Sequence, residues 1–416
     1  MKEWKEYKVS EVINDISMGP FGSNIKRDCY VETGVPYLNG SNLSSVKLNE
    51  DVFNFVTEEK AKTLGRCIAK RGDIIVTHRG TIGQISYIPF DSKYEMYLTG
   101  NSQFRLTVNT NIVRPDFFVY FFHTRSGQFK LLSNASQVGV PALARPTSTF
   151  KELLVPVPPM SVQDGIMNIL NKIDDKIEIN RRINDNLGQQ AQALFKSWFI
   201  DFDPFKDGEF EETELGFIPK DWKVVSLSAI ADYINGLAMQ KYRPTDGESG
   251  IPVLKIKELG QGRTDDSSEL CSPSLIGSKY IIDDGDIIFS WSGTLMVKVW
   301  CGGKCGLNQH LFVVKPKEYP QWFAYQWTKH HLDNFIHIAK DKAVTMGHIK
   351  RGELDKAKVV VPDETNMATI DLMMKPIHNQ IISNMKESRR LASLRDTLLP
   401  RLMSGELKVN EIENVI

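Results

Sequence analysis

The tetrapeptide Gly72-Asp73-Ile74-Ile75 occurs a second time in the chain as Gly285-Asp286-Ile287-Ile288. In both places a Gly-Thr pair follows at the same distance, first as Gly80-Thr81 and then as Gly293-Thr294. A glycine and an acidic residue before an apolar, β-branched run indicate a turn that leads into a buried strand. Because the block returns with its spacing intact, it indicates an internal repeat, and the rest of the chain is interpreted around it.

Further matches extend the repeat on both sides of this block. In order along the chain they are Trp4-Lys5 with Trp222-Lys223, Pro36-Tyr37-Leu38 with Pro252-Val253-Leu254, and Asn101 with Asn308. Each half also carries an aromatic segment of helical character, at 117–122 and 322–327, and ends at a Val/Pro border, at 154–158 and 359–362. We therefore predict an α+β fold with two similar domains.

A helical segment with one apolar stripe follows each border. Its matching residues, separated by one constant offset, are Ile173, Ile177, Leu187, Leu194 and Trp198 in the first segment and Ile377, Ile381, Leu391, Leu398 and Leu402 in the second. A long helix with one apolar stripe needs a partner, and the other helix is the expected one. We predict two long helices that pair as an antiparallel coiled coil and give the repeat a pseudo-twofold arrangement.

Asn180 and Asn384 occupy matching positions where the apolar stripe continues. A polar residue in such a seam can set the register of the pairing, whereas the alternative is exposure on the flank of the helix. The predicted boundaries follow from these segments. They are a first domain at 1–158, a first helical region with an acidic linker at 159–212, a second domain at 213–363 and a second helical region at 364–416.

The composition limits the classes of function. The chain has 416 residues, with 51 Lys+Arg against 51 Asp+Glu, and this length predicts at least two domains. The zero net charge argues against a protein that holds nucleic acid by bulk attraction. By segment, however, 1–158 carries 19 basic and 15 acidic residues, a net of +4, while 159–212 carries 6 and 11, a net of −5. The absence of a long apolar run and of a hydrophobic N-terminal core, with five scattered cysteines, predicts a cytoplasmic location.

The sequence carries no complete catalytic motif of the classes considered below. The sequence has no nucleotide-binding loop of the P-loop or Rossmann type. Asp203-Pro204-Phe205 faintly resembles a methyltransferase motif but lacks one proline, and a helix-terminating turn is preferred. Cys301 and Cys305 with His310 are too few for a closed zinc site, and His330-His331 is interpreted as a solvated helix face. We predict no catalytic residue, no metal site and no cofactor.

Polar and basic residues in predicted loops are the candidates for DNA contact. His78, Arg79 and Thr81 follow a strand, and their repeat mates are Trp291, Ser292 and Thr294. The further candidates are Lys26, Arg27, Gln137, Arg145, Lys241, Tyr242, Arg243, Lys255, Lys257, Arg263, Lys342, Thr345, His348, Lys350 and Arg351. Asn39, Ser41 and Asn42 either contact bases or cap a turn, and the sequence leaves this open.

The order of these features resembles the specificity (S) subunit of type I restriction–modification systems. The run from Asp396-Thr397-Leu398-Leu399-Pro400 to Ser404-Gly405-Glu406-Leu407 resembles the end of the second conserved region of that family, and 193–199 resembles its counterpart. The resemblance implies that each domain is a target recognition domain for one half of a bipartite sequence in double-stranded DNA. It also implies that the paired helices fix the distance between the two halves.

The same resemblance implies that catalysis lies in partner subunits. Two modification (methyltransferase) subunits would dock on the chain and would bring S-adenosylmethionine. Restriction (motor–nuclease) subunits that use ATP would join them, in a prokaryotic cytoplasm. The alternatives are a DNA methyltransferase or nuclease with duplicated recognition domains, and a protein-binding scaffold of two repeats.

Overall fold

The computed structural model of the protein describes residues 4–22, 24–136, 139–341 and 347–412. The chain divides into two compact units, residues 1–174 with 393–416 and residues 175–392. Each unit contains one α+β domain and a part of each of two long helices, Met160–Phe199 and Glu364–Met403. Each of these helices has 40 residues, which corresponds to a length of about 60 Å.

The first domain is built on two sheets. The central sheet is antiparallel, with strands in the spatial order Ile13–Met18, Gln103–Val108, Ile74–Thr77 and Ile85–Tyr87. The second sheet is mixed, in the order Tyr30–Val31, Asn54–Val56, Val35–Tyr37, Met96–Leu98 and Ile68–Lys70. Two strand pairs stand apart from these sheets: Lys5–Lys8 with Leu154–Val157, and Ala135–Ser136 with Ala142–Leu143.

The helices of the first unit are mostly short. They are Val9–Val12, Glu58–Thr63, Pro115–His123, Arg125–Leu132, Pro146–Lys151 and Val409–Ile412, with 3₁₀ turns at Arg27–Cys29, Gly40–Leu43 and Gly65–Cys67. The predicted aromatic segment forms the helix Pro115–His123, in which every residue but the last is buried. Its apolar faces therefore supply much of the core of this unit.

The second domain repeats this plan. Its central antiparallel sheet has the order Ala231–Asn235, Leu311–Pro316, Ile287–Ser290 and Met296–Val299, and its mixed sheet has the order Leu270–Cys271, Ile251–Leu254, Cys305–Leu307 and Ile281–Ile282. The separate strand pairs are Lys223–Ser226 with Lys358–Val361 and Phe210–Thr213 with Gly216–Pro219. The helices are Leu227–Ile230, Ile256–Gln261, Gln321–His330, Leu332–Asp341 and Gly352–Lys356, with 3₁₀ turns at Asp203–Phe205, Met239–Lys241 and Ser278–Tyr280.

The strand orders of the two central sheets correspond element for element. In the first domain, the strand after the Gly-Asp pair, Ile74–Thr77, lies between Gln103–Val108 and Ile85–Tyr87. In the second domain, its counterpart Ile287–Ser290 lies between Leu311–Pro316 and Met296–Val299. In both, the first strand after the tryptophan pairs with the Val/Pro border. The predicted fold of two similar α+β domains is confirmed.

The repeated Gly-Asp pair forms the same turn in each domain. Gly72 and Gly285 have φ angles of 88° and 97°, which a residue with a side chain adopts only with strain. One carboxylate oxygen of Asp73 accepts a hydrogen bond from the backbone N–H of Lys70 at 2.9 Å, and Asp286 accepts one from Asp283 at 3.0 Å. The aspartate thus closes the turn that the glycine makes possible, and this explains why the two residues recur together.

In the second unit, the two long helices pair in antiparallel fashion through a polar seam. Asn180 is 1% exposed and donates to a carboxylate oxygen of Glu387 at 2.7 Å. One turn further along the first helix, Asn184 accepts a hydrogen bond from the buried Asn384 at 2.9 Å. Because these amides bond across the seam, Asn180 and Asn384 are not exposed on the flank, and the register hypothesis is the one that the structure supports.

In the first unit, the helices are joined through a charged contact. Arg395 of the second helix donates to Asp174 of the first helix at 2.7 Å, and the hydroxyl of Tyr120 donates to the same carboxylate. Tyr120 is buried in the helix Pro115–His123. One half-buried carboxylate, that of Asp174, therefore ties both long helices to the first domain.

The structure also decides two smaller sequence predictions, on the turn at 203–205 and on the histidine pair at 330–331. The first long helix ends at Phe199, and Asp203–Phe205 forms a 3₁₀ turn after Phe202, so the preference for a helix-terminating turn is confirmed. The solvated face expected at His330-His331 is wrong for His331, whose ring bonds the backbone oxygen of Lys358 at 2.8 Å.

The two cysteines of the short Cys301–Cys305 segment are buried. Burial raises the pKa of their thiols to about 11 for Cys301 and about 12 for Cys305, so both thiols are protonated at neutral pH.

Among the residues described, no helix combines the length and the apolar character that a membrane crossing requires.

Candidate nucleic-acid interface

In the first domain, the loop after the strand Ile74–Thr77 is fastened to a loop late in the domain. The backbone N–H of Gly80 donates to the oxygen of Pro141 at 2.8 Å, and Leu143 donates to the oxygen of His78 at 2.8 Å. Arg79 and Thr81, which lie on this loop, are exposed. The backbone bonds hold the loop in place while these two side chains lie at the surface.

A second loop of the first domain, at 39–42, lies against the loop at 78–81. A Cβ atom added at Gly40 would lie 2.9 Å from the hydroxyl oxygen of Thr81, so the two loops are in close contact at this point and a side chain at position 40 would displace Thr81. The hydroxyl of Thr81 donates to Gln84 at 2.6 Å. The loops at 39–42, 78–81 and 141–145, which are far apart in the sequence, therefore converge in one place.

The second domain brings together the corresponding loops. The N–H of Gly293 donates to the oxygen of Gly347 at 3.0 Å, and Ile349 donates to the oxygen of Trp291 at 3.2 Å. A Cβ atom at Gly293 would lie 3.3 Å from the tip of Ile256, at the start of the helix Ile256–Gln261. The loops at 255–257, 291–294 and 347–351 thus repeat the convergence of the first domain.

Trp291 and Ser292 belong to the framework of this loop cluster. The indole N–H of Trp291 donates to the side chain of Asn235 at 3.0 Å, and its ring packs against Phe312 at a centroid distance of 5.7 Å. Ser292 is 4% exposed, and its hydroxyl bonds the ring of His310 at 2.9 Å. In this structure Ser292 is a buried support of the loop, and its predicted contact with DNA stays a prediction.

A basic groove borders the second loop cluster. It has a volume of about 440 Å³ and is lined by Arg243, Lys255, Lys257, Glu269, Gln309 and His310, among others. Glu269 accepts from Arg243 at 2.7 Å and from Lys255 at 2.5 Å. These two hydrogen bonds lower the pKa of Glu269, with Lys255 as the larger cause, so the carboxylate is charged and holds both cations.

The sequence left two roles open for the polar turn at Asn39. Asn42 is 1% exposed, and its amide donates to the backbone oxygens of Asn49 and Val52, each at 3.0 Å. Its side-chain oxygen accepts from the N–H of Asn39 at 3.0 Å. For Asn42 the structure therefore corrects the DNA-contact prediction in favour of the turn-capping alternative.

His78 lies half-buried behind Arg79. Burial is the main reason that the pKa of its imidazole lies below the ordinary value, so the ring is neutral at physiological pH. Its Nε2 atom is buried and has no hydrogen-bond partner among the described residues. His78 therefore contributes no positive charge toward a phosphate.

The predicted residues that the structure describes fall into three groups by exposure, of which the buried one consists of Asn42 and Ser292. The exposed ones are Lys26, Arg27, Ser41, Arg79, Thr81, Arg145, Lys241, Arg243, Lys257, Arg263, Thr294, His348, Lys350 and Arg351. The half-buried ones are Asn39, His78, Tyr242, Lys255 and Trp291. Gln137, Lys342 and Thr345 lie outside the described residues. Of the exposed group, five residues lie outside the converging loops, namely Lys26, Arg27, Lys241, Arg243 and Arg263. The DNA-contact hypothesis for the exposed residues stays a prediction.

Sequence reasoning did not select several residues of the basic groove. Glu269 is a single acidic residue without a recognisable motif, and only the fold places it between Arg243 and Lys255. Gln309 and His310 follow directly on Asn308, which matches Asn101 in the repeat. That repeated asparagine was the one signal in the sequence that could have drawn attention to them.

Comparison with known proteins identifies the family. The model of the type I restriction modification DNA specificity domain matches residues 1–189 and again residues 219–388. The chain belongs to this family. The duplicated domain, predicted from the Gly-Asp repeat and observed in the two sheets, is thus the specificity domain in two copies.

Two curated relatives extend over nearly the whole chain. The type I restriction enzyme MjaIX specificity subunit of Methanocaldococcus jannaschii is 26% identical over 99% of this chain and 95% of that protein. The type I restriction enzyme HindI specificity subunit of Haemophilus influenzae is 23% identical over 98% of this chain and 100% of that protein. Both are described as specificity subunits, which supports the predicted function over the alternative of a methyltransferase or nuclease.

The crystal structure of the type I restriction–modification S subunit from M. genitalium has the same fold. It superposes with a TM-score of 0.54 and 16% sequence identity, over 96% of this chain and 96% of that chain. The architecture of two specificity domains with two helical regions is therefore that of a solved S subunit, and the predicted resemblance is confirmed.

Proposed function

We propose that this chain is the non-catalytic subunit that gives a type I restriction–modification complex its DNA sequence specificity. Each α+β domain recognises one half of a bipartite target in double-stranded DNA. The observation that carries the proposal is the repeated loop cluster, in which the Gly80 and Gly293 loops are fastened by the same backbone bonds. Two equivalent recognition domains in one chain suit a DNA target whose sequence is specified in two separate parts.

The long helices serve as the spacer between the half-sites and as the docking surface for two modification subunits. Their polar seam, centred on Asn180 and Asn384, supports a pairing with a single register. A fixed register is what a spacer requires, because slippage by one helical turn would change its length by about 5 Å.

The chemistry of the complex belongs to other subunits. S-adenosylmethionine is bound by the modification subunits, ATP is used by the restriction subunits that join them, and the chain itself binds neither. The complex works in a prokaryotic cytoplasm. Because the chain carries as many acidic as basic residues, we expect it to bind DNA weakly by itself and tightly within the complex.

The test uses purified components and a methyl-transfer assay on genomic DNA. We expect no transfer by the chain alone, no transfer by the modification subunit alone, and transfer at a defined sequence when the two are combined. Methyl transfer by the chain alone would contradict the proposal, as would a combined activity without sequence preference.

A further inference from the structure

The basic groove of the second domain contains an arginine whose orientation is fixed while part of its guanidinium stays free. Arg243 donates to Glu269 through one terminal nitrogen at 2.7 Å and to the backbone oxygen of Leu270 through the other at 3.4 Å. An arginine has five N–H groups, so three of those of Arg243 have no partner among the described residues. Its side chain is 49% exposed.

The charges around this groove favour a ligand with hydrogen-bond acceptors. Three cations, Arg243, Lys255 and Lys257, line it together with one carboxylate, Glu269. Lys257 is partly balanced from outside the groove by Asp265, at 3.7 Å. An excess of positive charge therefore remains, and DNA supplies acceptors both on its phosphates and on its base edges.

The corresponding turn of the first domain has no equivalent of this carboxylate–arginine pair among the described residues, and we call the pair in the second domain the Glu269 clamp. The corresponding basic pair of the first domain, Lys26 and Arg27, also lies at a 3₁₀ turn after the first strand of the central sheet. Both side chains are exposed, and neither forms an ion pair with a described residue. Since the backbone plan is shared, the Glu269 clamp is a feature of the second domain, as expected of a residue that distinguishes one half-site from the other.

We propose that Arg243 recognises a guanine in the second half of the target and that Glu269 is the positioning residue that orients its guanidinium. This inference rests on the function proposed above. A planar guanidinium held at a fixed angle can donate two hydrogen bonds to O6 and N7 of one guanine, which is the commonest specific contact in the major groove. A phosphate also accepts two hydrogen bonds from a guanidinium but carries no sequence information, so the presence of the clamp in one domain and not in its repeat is what favours base recognition.

The experiment measures methylation by the full complex of this chain with its modification subunits. Duplexes carry the wild-type target with each of the four base pairs at each position of the second half-site. The variants are Arg243→Ala, Arg243→Lys and Glu269→Gln. The matched control is Glu214→Gln, because Glu214 also pairs with a lysine of this unit, Lys358, at 2.7 Å but lies outside the groove.

We expect the wild-type complex to require guanine at one position of the second half-site. Arg243→Ala should reduce discrimination at that position by roughly 5- to 150-fold. Arg243→Lys should behave similarly, because lysine has no planar fork, and Glu269→Gln should cause a smaller reduction at the same position. The first half-site, and every position in the Glu214→Gln control, should be unchanged.

Two results would overturn the inference. One is unchanged base discrimination in all three groove variants. The other is an equal loss of binding to every sequence in Arg243→Ala, with a flatter salt dependence, since that pattern marks a phosphate contact. Failure of the proposed function looks different, because the wild-type complex itself would then methylate no two-part target. Methylation of unaltered positions by the variants shows that they fold and assemble.

Discussion

At the scale of single residues, the aspartate of each Gly-Asp turn accepts a hydrogen bond from a side chain of the neighbouring strand in its central sheet, Thr107 for Asp73 and Lys315 for Asp286. Asp73 is 5% exposed and accepts hydrogen bonds from the N–H of Lys70 and the hydroxyl of Thr107. Asp73→Ala leaves both donors without a partner, so we expect the free energy of unfolding to fall by about 1–3 kcal/mol. Urea denaturation of the full chain measures this. The exposed Glu59→Ala serves as the control, and equal effects of the two substitutions would refute the structural role of Asp73.

Also at the residue scale, the buried His378 makes the second unit sensitive to acid. Its ring is 6% exposed and lies 3.3 Å from the side-chain oxygen of Gln321, and burial lowers its pKa from 6.5 to about 4. The folded state therefore binds this proton less readily than the unfolded state, and stability is lost as the pH falls from 6.5 toward 4. At about 1.4 kcal/mol per pKa unit, the loss is on the order of 3 kcal/mol.

The substitution His378→Gln removes this titration. We expect a shallower decline of the free energy of unfolding between pH 6.5 and pH 4 than in the wild type, as measured by urea denaturation at several pH values. Parallel declines in the two proteins would show that His378 does not carry the effect.

At the scale of elements, the length of the paired helices should set the number of base pairs between the two half-sites. Four residues inserted after Asn180, with four more inserted opposite them before Glu387, would keep the helices in register and lengthen each by about 6 Å. DNA rises about 3.4 Å per base pair, so we expect the gap between half-sites to grow by roughly two base pairs. Sequencing of the methylated sites measures the gap.

The control is an insertion of the same length outside the helices, which tests whether inserting residues has a general effect on the complex. Four glycine and serine residues placed at 206–209, in the acidic linker after the first long helix, leave both helices unchanged. The gap should then stay at its wild-type length. An unchanged gap in the helix variant would mean that the helices do not set the spacing.

The elements also show what could be predicted from the sequence. The repeated Gly-Asp turns and the helix of residues Pro115–His123 follow local patterns of spacing and polarity, and both were predictable. The matched positions of Asn180 and Asn384 in the apolar stripe were visible in the sequence, but their burial in the seam was left open there and is decided by the structure. The burial of Asn42 and Ser292 was not, because short polar side chains have the same appearance in a loop whether they bind a ligand or cap a turn. The Glu269 clamp depends on strand pairing between distant segments, which the order of residues does not reveal.

At the scale of the whole molecule, the two domains should act as exchangeable modules. Replacing residues 1–158 by the first domain of another family member removes one loop cluster and leaves the other, with its Trp291 framework, intact. We therefore expect one half of the recognised sequence to change while the other half and the gap persist. A change in both halves would refute the modular organisation.

The central claim is that one chain with two copies of a specificity domain directs methylation to a sequence in two parts. It is tested most directly by sequencing the methylome of cells that express this chain with its modification subunit. The account predicts a single methylated target, with two specified halves separated by an unspecified gap of constant length. Methylation at a continuous target, or at two halves with a variable gap, would contradict it.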